Sequence, residues 1–291
     1  MHYALRGNQG EDACQGKSAA MQVKVGIQLH PQHCTYDQLA EAARRTDESG
    51  YDSLWTWDHF YPLYGVEGAP MGPDLPPKAG DPPQRGDHFE GWSLLAAFAA
   101  ITKNVEIGMM VSCNSYRNPE LLADIFRTVD HISHGRMIFG IGSGWYEKDY
   151  QEYGYEFGTA VSRLKDLEAA LPRIKARLQK LSPAPLRDPV PFLIGGGGEK
   201  RTLRLVAEHA TMWNFAGSLE DLERKVGILD EWCEKVGRDP AEIERSVLVR
   251  ETDTDEHLDK LRALGISHFM IILGTPFSFE TADRIKAKLK G

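Results

Sequence analysis

The sequence predicts an α/β protein: a single closed (β/α)8 barrel of the TIM type, with an extended loop after its second strand. Three observations predict it. Short, almost continuously apolar runs alternate eight times with helix-like segments, the pattern of a parallel sheet covered by helices. Several of those segments carry capping residues at their starts and glycine at their stops. The length, 291 residues, is one that α/β barrels use as a single domain. A doubly wound open sheet is the alternative, and eight units are more than it usually needs.

The elements follow in order. VKVGIQL (23–29) is the first strand; Thr35 then caps a helix, with Gln38 completing a capping box and Gly50 ending it. YDSLWTWDH (51–59) is the second strand and WSLLAAFAAIT (92–102) the next helix. VEIGMMVS (105–112) is the third strand. Its helix opens with Asn118 at the cap and Pro119 in the first turn, runs through Leu121, Leu122, Ile125, Val129 and Ile132, and stops at Gly135. RMIFGIGSG (136–144) is strand four, followed by one long helix over about 159–181. PFLIGG (191–196) is strand five, with a helix from about Glu199. ATMWNFAG (210–217) is strand six, and Ser218 with Asp221 caps the helix behind it. RSVLVR (245–250), a helix over 253–264, HFMIILG (268–274) and a last helix complete the set.

Residues 1–20 are polar and lack the apolar centre of a secretory signal; they read as a disordered leader or an alternative-start segment, which leaves 21–291 as the barrel domain. Residues 60–89 are rich in Pro, Gly and Asp and too long for an ordinary strand-to-helix connection, which suggests a lid or substrate wall. A net charge of -8 argues against a general binder of nucleic acid or anionic membrane, and no apolar run reaches spanning length. The four cysteines, at 14, 34, 113 and 233, form no C-x-x-C pair; this is neither a disulfide framework nor a zinc site and suits a reducing cytoplasm.

In such a barrel the chemistry sits at the C-terminal ends of the strands. Gly195, Gly196, Gly197 and Gly198 stand between a buried strand and a helix start. Unshielded backbone N–H groups and the helix dipole make an anion cradle there, with Lys200, Arg201 and Arg204 alongside. GIGSG (140–144) is a second glycine-lined end, where Ser143 offers a donor. Phosphate binding is one reading of both; tight turns alone are the other. Strand two ends on Asp58 and His59, a carboxylate and an imidazole fit to orient a ring and pass protons; a capping Asp with a packed His is the plain alternative. HPQH (30–33) with His59 invites a metal site, but the ends of strands five, six and eight offer glycine, Asn and Thr-Pro rather than further ligands.

DHFYPLYG, HFEGWSLLAAFAAITKNVEIGMMVSCNSYRNPELLA, DHISHGRMIFGIGSGWYEKDYQEYG and PFLIGGGGEKRTLRLVAEHATMWN resemble the bacterial luciferase-like monooxygenase superfamily, and within it the branch that uses the deazaflavin coenzyme F420. The resemblance is collinear from Met21 to about Trp213; beyond that it lies mainly in the rhythm of elements. It implies a coenzyme lying across the strand ends, with Asp58 and His59 beside its ring and His59 as proton donor or acceptor. It implies a cis peptide at Met110-Val111, forming with Ser112 a bulge that props the ring. The phosphate end would be held by Gly142, Ser143, Gly144, Trp145 and Tyr146 and by Gly195 to Gly198. The sugar-phosphate dehydrogenases of the superfamily carry a catalytic glutamate where this chain has Trp145, which speaks against glucose-6-phosphate as substrate. Tyr61, Tyr64, Met71, Phe89 and Trp92 would give an aromatic, apolar pocket for a small organic molecule. The expected activity is F420-dependent hydride transfer. The alternatives are an FMN-dependent monooxygenase fed by a partner reductase and, more remotely, a flavin-binding protein without turnover. Family habit implies a homodimer.

Overall fold

The structure, a computed structural model, describes residues 22–63 and 86–291. Parallel pairing carries the chain around a closed wall. Strand β1 (Lys24–Leu29) pairs with β2 (Ser53–Thr56) on one side and with β8 (His268–Leu273) on the other. Between them run β3 (Glu106–Met109, resuming at Ser112–Cys113), β4 (Met137–Gly142), β5 (Phe192–Gly195), β6 (Met212–Phe215) and β7 (Glu244–Val249), each bonded to the next. The expected eight-stranded barrel is therefore present. Outside it lie α1 (Tyr36–Glu48), α2 (Gly91–Ile101), α3 (Pro119–Ile132), α4 (Glu147–Tyr153), α5 (Ala160–Leu178), α6 (Thr202–His209), α7 (Leu219–Val236), α8 (Asp255–Ala263) and α9 (Glu280–Lys290).

The caps at Thr35, Asn118 and Ser218 are formed as the sequence suggests. Three boundaries differ. The third strand is interrupted at Met110-Val111, where the peptide bond is cis, and the chain bulges before pairing resumes. Gly140 permits this: a Cβ there would lie 1.8 Å from the Met109 carbonyl oxygen. The long helix expected over about 159–181 is α5, and a short helix that the sequence reading did not place, α4, precedes it. Gly154, at φ 71°, ends α4, and Thr159 starts α5 through a capping box with Ser162. Helix α6 begins at Thr202, because the glycines before it stay in the strand-to-helix turn.

One apolar layer fills the space between wall and helices, around Leu54, Phe98, Phe126, Phe139, Trp213 and Phe269. A second fills the barrel interior with Trp55, Met110, Ile138, Leu193, Met212 and Met270. Each such side chain contributes about 1.5–3 kcal/mol by leaving water, so the barrel is a packed plug and its upper rim is free for chemistry. No helix of the described residues is long and apolar enough to cross a membrane.

The lower rim is closed by polar groups. His268, fully buried, bonds Glu244 through Nδ1 at 2.6 Å and Ser53 Oγ through Nε2 at 2.7 Å, and Trp55 Nε1 donates to the same Oγ. Ser53 has no exposed surface, so this Ser–His–Glu chain holds strands together and reaches no substrate. Burial works to raise the Glu244 carboxyl, but the hydrogen bond and charge of His268, with Lys24, hold it down at about 2. A carboxyl depressed in the folded state stabilises it fully above the unfolded value of about 4.3 and loses that contribution as pH falls through the folded value. Glu244→Gln is therefore expected to remove about 1–3 kcal/mol near neutrality. It should also flatten the fall of the urea midpoint between pH 5 and 2; parallel acid limbs in variant and wild type would refute the assignment.

Candidate active site

Strand β2 leaves the wall at Trp57, Asp58 and His59, and the last two diverge, as alternation along an extended chain requires. Asp58 turns toward β3 and is buried, 2% exposed. Its carboxylate accepts two bonds from Arg117, at 2.6 and 3.0 Å, and one from the Cys113 N–H at 3.0 Å. Arg117 also donates to Glu90, the N-cap of α2, at 2.6 Å. Burial pushes the Asp58 carboxyl up, and Arg117 and the Cys113 N–H pull against it. Asp58 thus clamps the strand ends and does not orient His59, as one of its expected roles would have it.

That position belongs to Asp149, which no reading of the sequence singled out. Its carboxylate has no exposed surface and accepts from His59 Nδ1 at 2.7 Å, the Tyr116 hydroxyl at 3.0 Å and the Phe60 N–H at 3.2 Å. His59 is 12% exposed. Its ring sits edge-on to Trp57, Trp145 and Tyr146, with centroids 5.7, 5.5 and 5.5 Å away. Two further imidazoles lie behind Trp57. His30 stacks on it at 3.9 Å, and His88 accepts from its Nε1 at 3.0 Å. Burial first, then the nearness of His59, pushes His30 down to about 3 and His88 down to about 4. Both are therefore neutral near pH 7.

The remaining expected site residues fall on the same rim. Met110 is buried, and its carbonyl lies 3.4 Å from Gln28 Nε2. Val111 projects between the ends of β4 and β5: a Cβ on Gly142 would lie 2.7 Å from its side chain, and one on Gly195 3.0 Å. Ser112 is buried, accepting from Trp92 Nε1 at 3.1 Å. Trp92 is itself only 4% exposed and packs on Phe139, in the layer between wall and helices. Ser143 and Gly144 are partly exposed, and Arg163 holds the Gly144 carbonyl at 3.1 Å. Trp145 is half exposed. Tyr146 is buried, and its hydroxyl has no hydrogen-bond partner among the described residues. Tyr61 lies by Tyr153 under the Lys148 ammonium. Tyr64 and Met71 lie outside the described residues.

At the glycine end, Gly196 and Gly198 are exposed. Gly196 has φ 115°, and its carbonyl accepts from Trp213 Nε1 at 2.8 Å. Helix α6 has no side-chain cap, and of its first-turn N–H groups that of Leu203 is taken by the Gly198 carbonyl at 3.0 Å. The basic cluster beside it is largely spent within the protein. Arg201 and Arg204 pair with Glu168, Arg204 also with Glu208, and Arg224 and Lys225 with Glu199. Lys200 is exposed and forms no ion pair among the described residues.

Both ends of the long loop rest on the connection between β1 and α1. Leu63 N–H donates to Gln32 Oε1 at 2.8 Å, His33 N–H to the Asp87 carbonyl at 2.8 Å, and Phe89 N–H to the Pro31 carbonyl at 2.9 Å.

A parallel barrel with an acid-held imidazole and glycine-lined strand ends on one rim is the frame of an oxidoreductase. The chain matches the family model described as luciferase-like monooxygenase over residues 18–257, and it belongs to that family. It is 24% identical over 217 residues to an uncharacterised protein of Mycobacterium tuberculosis, covering 69% of this chain and 75% of that one. It is 30% identical over 194 residues to an F420-dependent glucose-6-phosphate dehydrogenase of Amycolatopsis mediterranei, covering 60% and 52%. Among solved structures, an F420-dependent secondary alcohol dehydrogenase in complex with an F420-acetone adduct superposes with TM-score 0.73 at 16% identity, over 90% of this chain and 96% of that one. The oxygenating constituent of 3,6-diketocamphane monooxygenase from Pseudomonas putida, in complex with FMN, gives 0.57 at 19% identity, over 83% and 71%.

Replacing Arg117 with Met leaves Asp58 buried without its counter-charge and is expected to cost about 3–5 kcal/mol in urea unfolding. Adding Asp58→Asn should restore more than half of that loss. A double variant as unstable as the sum of the singles would show that the two residues act independently.

Proposed function

We propose that the protein is an F420-dependent oxidoreductase that moves a hydride between the deazaflavin and a small, apolar organic substrate. The observation that carries this reading is the division of the rim. On one side stands a single imidazole, His59, whose Nε2 makes no hydrogen bond among the described residues. Two and three strand spacings along the wall, about 10 and 14 Å, stand the glycine ends of β4 and β5. A ligand with a flat ring at one end and an anionic tail at the other fits that division.

The residues fit the coenzyme in two further respects. The buried Tyr146 hydroxyl beside His59 has a hydrogen bond to give, and Val111 offers an apolar platform between Gly142 and Gly195. Val111 and Met110 would support the ring; Ser143, Gly144, Gly196, Gly198 and Lys200 would hold the tail. The coenzyme supplies the hydride donor or acceptor when bound. His59 holds or returns the substrate's proton at Nε2, and the edges of Trp57, Trp145 and Tyr146 hold its ring in place. Trp145 stands where a sugar-phosphate dehydrogenase would carry its acid, which favours an apolar alcohol, imine or electron-poor alkene. A reductase that recycles the coenzyme, a homodimeric state and a cytoplasmic setting belong to the same reading.

One observation favours FMN instead. Glu168, Glu199 and Glu208 already neutralise Arg201, Arg204, Arg224 and Lys225, which leaves a weaker field for a polyanionic tail than for a single phosphate. The two readings part in a fluorescence titration of the protein with F420 and, separately, FMN. Binding of F420 at micromolar or lower concentration, with FMN at least tenfold weaker, is expected. The reverse order would make the protein an oxygenase supplied with reduced flavin, and binding of neither would sink both readings. In the F420 case, His59→Ala should lower turnover by about 10²–10⁴ while leaving coenzyme affinity within a few-fold. Equal turnover would remove His59 from its role.

A further inference from the structure

Asp149 is the one carboxylate among the described residues that bonds His59, and it comes from a different part of the chain, the short helix α4 behind strand β4. Three donors converge on it. Oδ2 receives the Tyr116 hydroxyl at 3.0 Å and His59 Nδ1 at 2.7 Å; Oδ1 receives the Phe60 N–H at 3.2 Å. The Phe60 N–H and the Tyr116 hydroxyl occupy the carboxylate from the chain segments that follow β2 and β3, so Asp149 has only acceptor positions to show the imidazole. A carboxylate serving as acceptor requires that Nδ1 carry a proton.

We propose that Asp149 is a positioning residue that locks His59 in the Nδ1–H form and so makes Nε2 the one nitrogen able to exchange a proton with substrate. This deepens the function proposed above and rests on it for the identity of the reaction. In the oxidising direction, with a bound coenzyme supplying the hydride acceptor, the substrate's O–H or N–H proton would pass to the Nε2 lone pair of His59 as its C–H bond is broken. The ring then carries protons on both nitrogens, and its charge faces Asp149. In the reducing direction the same Nε2 proton returns to the substrate heteroatom or carbon. Without the carboxylate, a neutral ring would populate Nε2–H and present a donor where an acceptor is needed.

The tautomer is open to measurement without coenzyme or substrate. Two-dimensional ¹H–¹⁵N correlation of ring-labelled histidine in the full-length apoprotein, at about pH 8.5 where an ordinary imidazole is neutral, reports each ring nitrogen as pyrrole-type or pyridine-type. His59→Gln assigns the signal by its loss. Wild type is expected to show a pyrrole-type Nδ1 and a pyridine-type Nε2. Asp149→Asn, whose amide can donate to the ring, should invert or mix the pattern, and Tyr116→Phe should leave it as in wild type. A pyridine-type Nδ1 in the wild type overturns the proposal, even if Asp149→Asn fails to fold; so does an unchanged pattern in a folded Asp149→Asn. A pattern inverted by Tyr116→Phe would move the control to the tyrosine and overturn it as well. In a protein that binds F420, Asp149→Asn should also lower turnover at least tenfold with coenzyme affinity unchanged. Failure of F420 to bind at all would sink the proposed function and leave the tautomer result standing.

Discussion

The upper rim depends on one buried ion pair, Asp58 with Arg117. Four elements meet in it. Asp58 lies two residues beyond the end of β2, Cys113 ends the resumed β3, Arg117 immediately precedes the helix cap of α3, and Glu90 caps α2. A charge taken out of water is tolerated only when its partners are well placed. Here a bidentate guanidinium and a backbone N–H supply them, and in return they fix how two strands and two helices enter the rim. The bulge at Met110-Val111 is enclosed by this clamp, and that is why Val111 emerges over Gly142 and Gly195 and not into the outer layer.

His59 is placed by the same geometry with opposite sign. One step along the chain from Asp58, it turns away from the clamp and meets the carboxylate of α4. Two acidic groups thus divide the work. One is buried against a permanent cation and holds the frame; the other is buried against hydrogen-bond donors and holds the His59 ring. His30 and His88, held neutral by burial around Trp57, form a fixed polar backing to that ring, so the several histidines of the neighbourhood are not equivalent.

Much of this was legible in the sequence and some could not have been. The wall could be read because runs such as VKVGIQL and HFMIILG are apolar on both faces, and the helices because Thr35, Asn118 and Ser218 are caps whose action is local. Asp58, His59 and the glycine ends could be placed on the rim because strand ends are where an α/β barrel does its chemistry. Asp149 could not be found the same way. It sits in WYEKDYQEY among Glu147 and Glu152, and only the packing of Tyr150 beside it, with no exposed surface, tells which acid faces inward. The basic run after Gly198 misleads for a related reason. Its counter-charges are Glu168, from α5, and Glu208, one turn further along α6, and the pairing with α5 spans a separation that leaves no local trace. Helix α4 went unread because only seven residues of this polar stretch are helical, too few for an apolar period to show.

Leu63, before the loop, and Asp87 and Phe89, after it, are fastened to a single turn, the β1–α1 connection, through backbone bonds and the Gln32 side chain. The entropic cost of closing a chain between fixed feet rises only by about 0.6 kcal/mol for each doubling of its length. The number of residues between two such anchors therefore weighs little in the closure cost. The anchors hold the chain on either side of the loop to the same turn, so a change in that number leaves the turn, and the wall it joins, in place.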